Sequence, residues 1–203
     1  MQFFCCTTDV VTRDLGNFNC RYPQERRALL DLMAADQKLR TTNAFHSASY
    51  DDLKKMQRQE DARTAQMLDI LDRIKSPSTK NVGLDGSRAV WLLALHNPAY
   101  HDAGELVLTK MRRLFYRNPV TVFYPGIPYL ADRLQVYKHG FDHSTLQRYG
   151  TQRWVTTTPA GTEGDRYPVF NSAHLQHRLR VFDLAPPDGQ SFVCKHRAGA
   201  NDV

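Results

Sequence analysis

Arg88-Ala89-Val90-Trp91-Leu92-Leu93-Ala94-Leu95-His96 is the stretch on which the fold turns, because it is apolar on nearly every side. A surface helix keeps one apolar stripe, whereas a helix without a polar face belongs in the middle of a helical fold. Asp85 reads as its N-cap, and Asn97-Pro98 breaks the chain after it.

Outward from this stretch, helical periodicity recurs on both sides. Pro23 with Glu25 opens a helix running to about Leu39, with Leu29, Leu32, Met33 and Leu39 as its buried stripe. Asp51 and Asp52 open a second helix, in which Leu53, Met56, Met67, Ile70, Leu71 and Ile74 recur at helical spacing until Ser76-Pro77. Its polar face, from Lys54-Lys55 through Arg63, reads as solvated. Beyond Pro98 a fourth helix carries Ala103, Val107, Met111 and Leu114, and should form a tight hairpin with the apolar helix. A fifth begins near Tyr129, with Leu130, Leu134 and Tyr137 on one face and Asp132 and Arg133 near its start. Gln152-Arg-Trp-Val-Thr-Thr157 and Tyr167-Pro-Val-Phe170 flank the turn-rich Pro159-Ala-Gly-Thr-Glu-Gly164, a hairpin pattern, and Asn171 can cap a last helix through about Phe182. The fold expected is mainly α, a single-domain helical bundle with a small C-terminal β-hairpin. Residues 1–22 are expected to form an N-terminal arm, 23–185 the helical domain and 186–203 a flexible tail.

Composition supports a globular domain and narrows its setting. A chain of 203 residues buries about 70% of its unfolded surface, enough to fold without staples. The apolar run Ala89–Leu95 is far shorter than the roughly 20 residues a membrane span needs, so no membrane association is expected. The N-terminal Met-Gln-Phe-Phe-Cys-Cys lacks a basic n-region, which points to the cytoplasm. Four cysteines without CxxC spacing give neither a disulfide framework nor a structural zinc site. Net charge is +6, with no block of consecutive basic residues. Nucleic acid is therefore not favoured as a partner, although Arg112, Arg113 and Arg117 beside Tyr116, Phe123, Tyr124 and Tyr129 keep open, as the alternative, a basic binding or adaptor role toward nucleic acid or an acidic protein partner.

Phosphate loops, dinucleotide-binding glycine patterns, nucleophile elbows and HExxH helices are all missing, so no cofactor and no metal are expected. His139 and His143 have i,i+4 spacing with Asp142 between them, but Gly140 weakens the helix this pair would need and no third ligand is evident. His96 carries the chemistry that remains, because a histidine ending so apolar a helix is buried and its imidazole then requires a partner. Asp132 can orient it as an acid/base pair, Arg133 can clamp an anionic group, and Tyr149, Thr151 and Gln152 can contact a small-molecule or peptide substrate. The same residues also read as a satisfied core histidine, a helix N-terminal acid and its salt-bridge partner.

Asp36-Gln37 with Arg40, Gln59-Glu60-Asp61 with Thr64, Val82-Gly83, Trp91-Leu92-Leu93 leading to His96, Tyr129-Leu130-Ala131-Asp132-Arg133 and Tyr149-Gly150-Thr151-Gln152 follow one another in order. This series resembles a bacterial domain-of-unknown-function family over roughly residues 28 to 185. In that family a Gln-His pair ends an apolar helix, and Leu-x-Asp-Arg and Tyr-Gly-Thr-Gln motifs follow. The resemblance implies a shared polar site that adds Asp36 and Gln37 to the substrate contacts, and a hydrolase or transferase is the enzyme class expected. Here Leu95 replaces the glutamine before His96, and His139-Gly-Phe-Asp-His-Ser-Thr-Leu146 stands as an insertion before Gln147.

Overall fold

Proline fixes φ near the helical value and lacks only an N–H that a first turn leaves unbonded, so Pro23 begins helix α1 (Pro23–Thr41), with Glu25 in its first turn and Lys38 and Arg40 in its last. Helix α2 (Tyr50–Ile74) starts at a reciprocal box: Ser49 Oγ accepts the Asp52 N–H while the Asp52 carboxylate accepts the Ser49 N–H. Met56, Met67, Ile70, Leu71 and Ile74 form its buried stripe as the spacing predicts, whereas Leu53 is exposed. A computed structural model describes residues 20–41, 49–97, 100–140, 142, 144–158, 161–167, 169–170, 174–182 and 184, with backbone alone for the two strands. The tail, most of the N-terminal arm and the cap at Asn171 lie outside the described residues.

Helix α3 (Thr79–His96) is the apolar stretch, and it is buried from Ala89 through Leu95, as well as at Val82, Gly86 and Ser87. Its start differs from the sequence reading. Ser78, not Asp85, caps it, accepting the Asn81 N–H, and at Gly83 (φ 73°, ψ 170°) the helix bends before continuing. Asp85 instead accepts the Gly86 N–H and a two-pronged bond from Arg26 on α1, inside that bend.

Helix α4 (His101–Arg117) and helix α5 (Gly126–Lys138) complete the core, and α3 touches α1, α2, α4 and α5. Its most extensive contact is with α1 rather than with α4, so the expected tight hairpin is the lesser of its packings. Trp91 meets Phe123 with ring centroids 5.1 Å apart and Tyr129 edge-on at 6.5 Å. Arg26 with Asp85 and Asp36 with His96 match the starts and ends of α1 and α3, so those two helices run in the same direction. Arg73 with Glu25 and Arg40 with Glu60 show α2 running the opposite way beside α1.

The protein is mainly helical. Backbone pairing joins β1 (Arg153–Thr158) to β2 (Gly161–Arg166) antiparallel. Helix α6 (Leu175–Arg180) follows, and Leu175, Leu179 and Phe182 are buried, with Phe182 stacked on Phe115 of α4 at 4.8 Å. Among the described residues no helix is long and apolar enough to cross a membrane.

Positive φ costs a residue with a Cβ about 1–2 kcal/mol, and a Cβ at Gly83 would stand 2.8 Å from Asp85 Oδ1 and 3.2 Å from Arg26 Nε. Gly83→Ala should therefore lower stability by about 2 kcal/mol, read as a fall in the urea midpoint at unchanged m-value. Arg26→Ala should cost less, about 1 kcal/mol, because that ion pair is partly exposed and screened.

Candidate functional site

The imidazole of His96, at the C-terminal end of α3, retains only 7% of its side-chain exposure, and a buried ring must bond through at least one nitrogen. Its Nδ1 lies 2.5 Å from Oδ2 of Asp36, which α1 delivers from one turn before its end. The expected orienting carboxylate, Asp132, is not the one that His96 meets. Nε2 has no hydrogen-bond partner among the described residues and is not among the polar atoms sealed from solvent.

Asp36 is itself 2% exposed and gathers further donors. Gln37 Nε2 donates to it at 3.1 Å, and Arg40 Nε lies 3.3 Å from both its oxygens. Arg40 also donates from Nη2 to Glu60 of α2 at 2.5 Å and to the His96 carbonyl at 3.1 Å, closing the exposed end of α3. Arg63, one turn along α2, presents Nε and Nη2 in buried positions without a hydrogen bond, and its charge acts on both Asp36 and Glu60. The solvated face predicted for this part of α2 is thus partly a site wall. Thr64, Asn97, Asp61 and Gln57 continue the network, Asn97 Nδ2 donating to Thr64 Oγ1 at 2.9 Å and to Asp61 at 3.3 Å.

Charge in this cluster follows from its setting. Burial pushes the Asp36 carboxyl up, but the His96 bond and the cationic groups around it together hold the carboxyl below the ordinary value. Burial lowers His96, the Asp36 bond opposes this, and the Arg40 and Arg133 charges reinforce it, leaving the imidazole below 6.5. A neutral ring bonded to a carboxylate through Nδ1 must carry its proton there, so the lone pair is on Nε2. Burial raises Glu60, with Asp36 and Asp61 adding to the shift.

Asp132 serves a different structure. At 1% exposure on α5 it accepts the backbone N–H groups of Arg148, Tyr149 and Thr151 and the Thr151 hydroxyl, at 2.9–3.2 Å. Burial drives its carboxyl up and these four donors oppose the rise. Gly150, at φ 69°, lets the Tyr149-Gly150-Thr151 backbone curl around the carboxylate. Tyr149 is buried edge-on against Phe182, and Gln152 donates to the Tyr129 carbonyl and to Thr151, so both belong to the loop around Asp132. Gln147, which sequence reading passed over, is fully buried and bridges the Gln152 and Tyr167 carbonyls while accepting the Gln152 N–H.

The sequence-predicted site therefore divides in two. Asp36, Gln37 and His96 come together with Arg40, Glu60 and Arg63, whereas Asp132, Tyr149, Thr151 and Gln152 make a loop clasp. Arg133 stands between the halves, its charge acting on both His96 and Tyr167. Arg40 had a sequence signal in its i,i+4 spacing from Asp36, while Arg63 had none. Among the described residues no group of three His, Cys, Asp or Glu side chains could hold a metal ion, and His143 lies outside them. Compared with known proteins, the chain matches no family model, no curated protein and no solved structure.

With the folded pKa of His96 below its unfolded value, the unfolded chain takes up a proton that the folded chain refuses. The stability this contributes is present above pH 6.5 and is lost as pH falls from 6.5 through the folded value. Wild-type urea midpoints should show this loss, with a slope of up to about 1.4 kcal/mol per pH unit that His96→Gln lacks. Glu60 contributes with opposite sign above pH 4.5 in both proteins, so the difference between them reports His96 together with the Asp36 carboxylate it holds. Asp132→Ala, which strands four donors, should cost on the order of 3 kcal/mol by the same measurement.

Proposed function

We propose that this chain is a small helical enzyme of the hydrolase or transferase class, with His96 as general acid/base and Asp36 as the residue that positions it. The observation that carries the reading is the 2.5 Å contact of Nδ1 with Asp36, combined with an Nε2 that has no partner among the described residues. A carboxylate on one nitrogen fixes the tautomer and stabilises the imidazolium formed when the other takes a proton. Nε2 would remove a proton from water or from a substrate hydroxyl and return it to the leaving group. Arg63 and Arg133 supply positive charge around the dyad, favouring a substrate that is polar or anionic and small enough for a nearly buried ring. A cytoplasmic setting and kinship with the bacterial family that the motifs resemble belong to the same proposal. Asp132, Tyr149, Thr151 and Gln152 have no part in the chemistry.

Purified protein tested on a panel of chromogenic carboxylic esters, phosphate monoesters and phosphate diesters should show an activity that rises with pH through one ionisation below 6.5. His96→Gln should lower that rate about 100-fold or more, and Asp36→Asn about tenfold or more with a displaced pH profile, both at unchanged helical content. An activity retained undiminished by folded His96→Gln protein defeats the assignment.

A further inference from the structure

A cleft lies away from His96, between α4 and α5, closed by the segment around Arg148 and by α6, and its volume is about 500 Å³. That is the size range of small-molecule sites. Arg112, Lys138, Arg148 and Arg178 line it, against Glu105 and the carboxylate of Asp132. Asp132 is fully engaged by the loop clasp, and Glu105 faces His101 at 3.9 Å. Arg112, Lys138 and Arg148 make no ion pair among the described residues.

Two of these cations, Arg148 and Arg178, have contacts of their own within the wall. Asp132 fixes the Arg148 backbone, and Arg148 leans over the Tyr149 ring at 5.7 Å. Arg178 donates from Nε to the Arg148 carbonyl at 2.9 Å and from Nη2 to the Phe170 carbonyl at 2.7 Å. Arg178 is thereby held against the Arg148 backbone, where burial first and then the Arg148 charge lower its pKa. Like charges so held favour an anion that bridges them. Beside them Phe170, in the cleft lining, is 62% exposed, an apolar ring without cover at the edge of a cationic pocket. Rings so placed stack on planar groups.

We propose that this cleft binds a small molecule carrying both adjacent phosphates and a planar ring, a nucleoside diphosphate in chemical class. Arg112, Arg148 and Arg178 hold the phosphates, Lys138 adds charge, and Phe170 takes the ring. The clasp of Asp132 on residues 148–151 thus has a purpose apart from His96, which is to set one phosphate-binding wall.

Calorimetric titration of the full chain with ADP, with inorganic pyrophosphate and with a short oligodeoxythymidylate tests this at low salt. ADP and pyrophosphate should bind saturably at one site, with Arg112→Ala and Arg148→Ala each weakening both ligands about tenfold. Phe170→Ala should weaken ADP about tenfold and leave pyrophosphate unchanged. His96→Gln should bind both as the wild type does, which keeps this result separate from the fate of the His96 proposal. No saturable binding by folded protein at millimolar ligand, or binding indifferent to both arginine substitutions, overturns the proposal. Equal effects of Phe170→Ala on the two ligands overturn the ring contact, and oligonucleotide binding that ADP does not displace assigns the arginines to nucleic acid instead.

Discussion

A carboxylate withdrawn from water as completely as that of Asp36 is unfavourable by several kcal/mol unless charge and hydrogen bonds compensate, and the architecture of the first three helices follows from that requirement. His96 and Arg40 answer it, one from the end of α3 and the other from the next turn of α1. Arg40 then needs acceptors of its own, which brings in Glu60 from α2 and the last carbonyl of α3. Three helices are thereby registered by polar contacts at one end, while Leu29, Met67, Ile70, Leu71 and the apolar face of α3 pack the core. Hydrophobic burial favours association of these helices but is indifferent to small slides along their axes, whereas directional bonds are not.

Asp132 meets the same physical demand by another route, drawing its donors from the backbone instead of from side-chain cations. The difference separates the two carboxylates by what each one holds. A carboxylate filled by three amide N–H groups and a hydroxyl fixes a loop and has little capacity left for a proton relay. One that holds an imidazole by a single nitrogen leaves the opposite nitrogen for chemistry. Both answers fit the same broad rule that buried charge is paired, and only geometry tells them apart.

Periodicity was sufficient for the helices because α3 has no polar face and its neighbours each have one apolar stripe; the central position of Ala89–Leu95 was legible for that reason. Helix starts were less so. Gly83 permits a bend that restarts the helix, and periodicity carries no record of a positive φ. For the site, the sequence marked His96 by its place at the end of an apolar helix and offered Asp132 as its partner, whereas Asp36 entered only through the motif resemblance, and the pairing with His96 was not legible. Spacing along one helix reports which residues share a face, and Asp36 with Arg40 was readable in that way. Which carboxylate reaches an imidazole 36 or 60 residues away in the chain depends on helix direction and rotation. Arg63 looked like one more solvated cation because its neighbours in sequence are charged, although its neighbours in space are Asp36 and Glu60.

Helix α1 is fastened to α3 at both ends. Near its start, the Arg21 and Tyr22 amides donate to the Lys80 and Asn81 carbonyls and Arg26 grips Asp85; near its finish, Asp36 and Arg40 hold His96. A rod pinned at two points about ten residues apart has no hinge about which to swing, so these two helices should breathe together as one cooperative unit. The carboxylate that holds His96 is thus carried on a wall that does not swing, with α1 serving as a stationary jamb beside the ring.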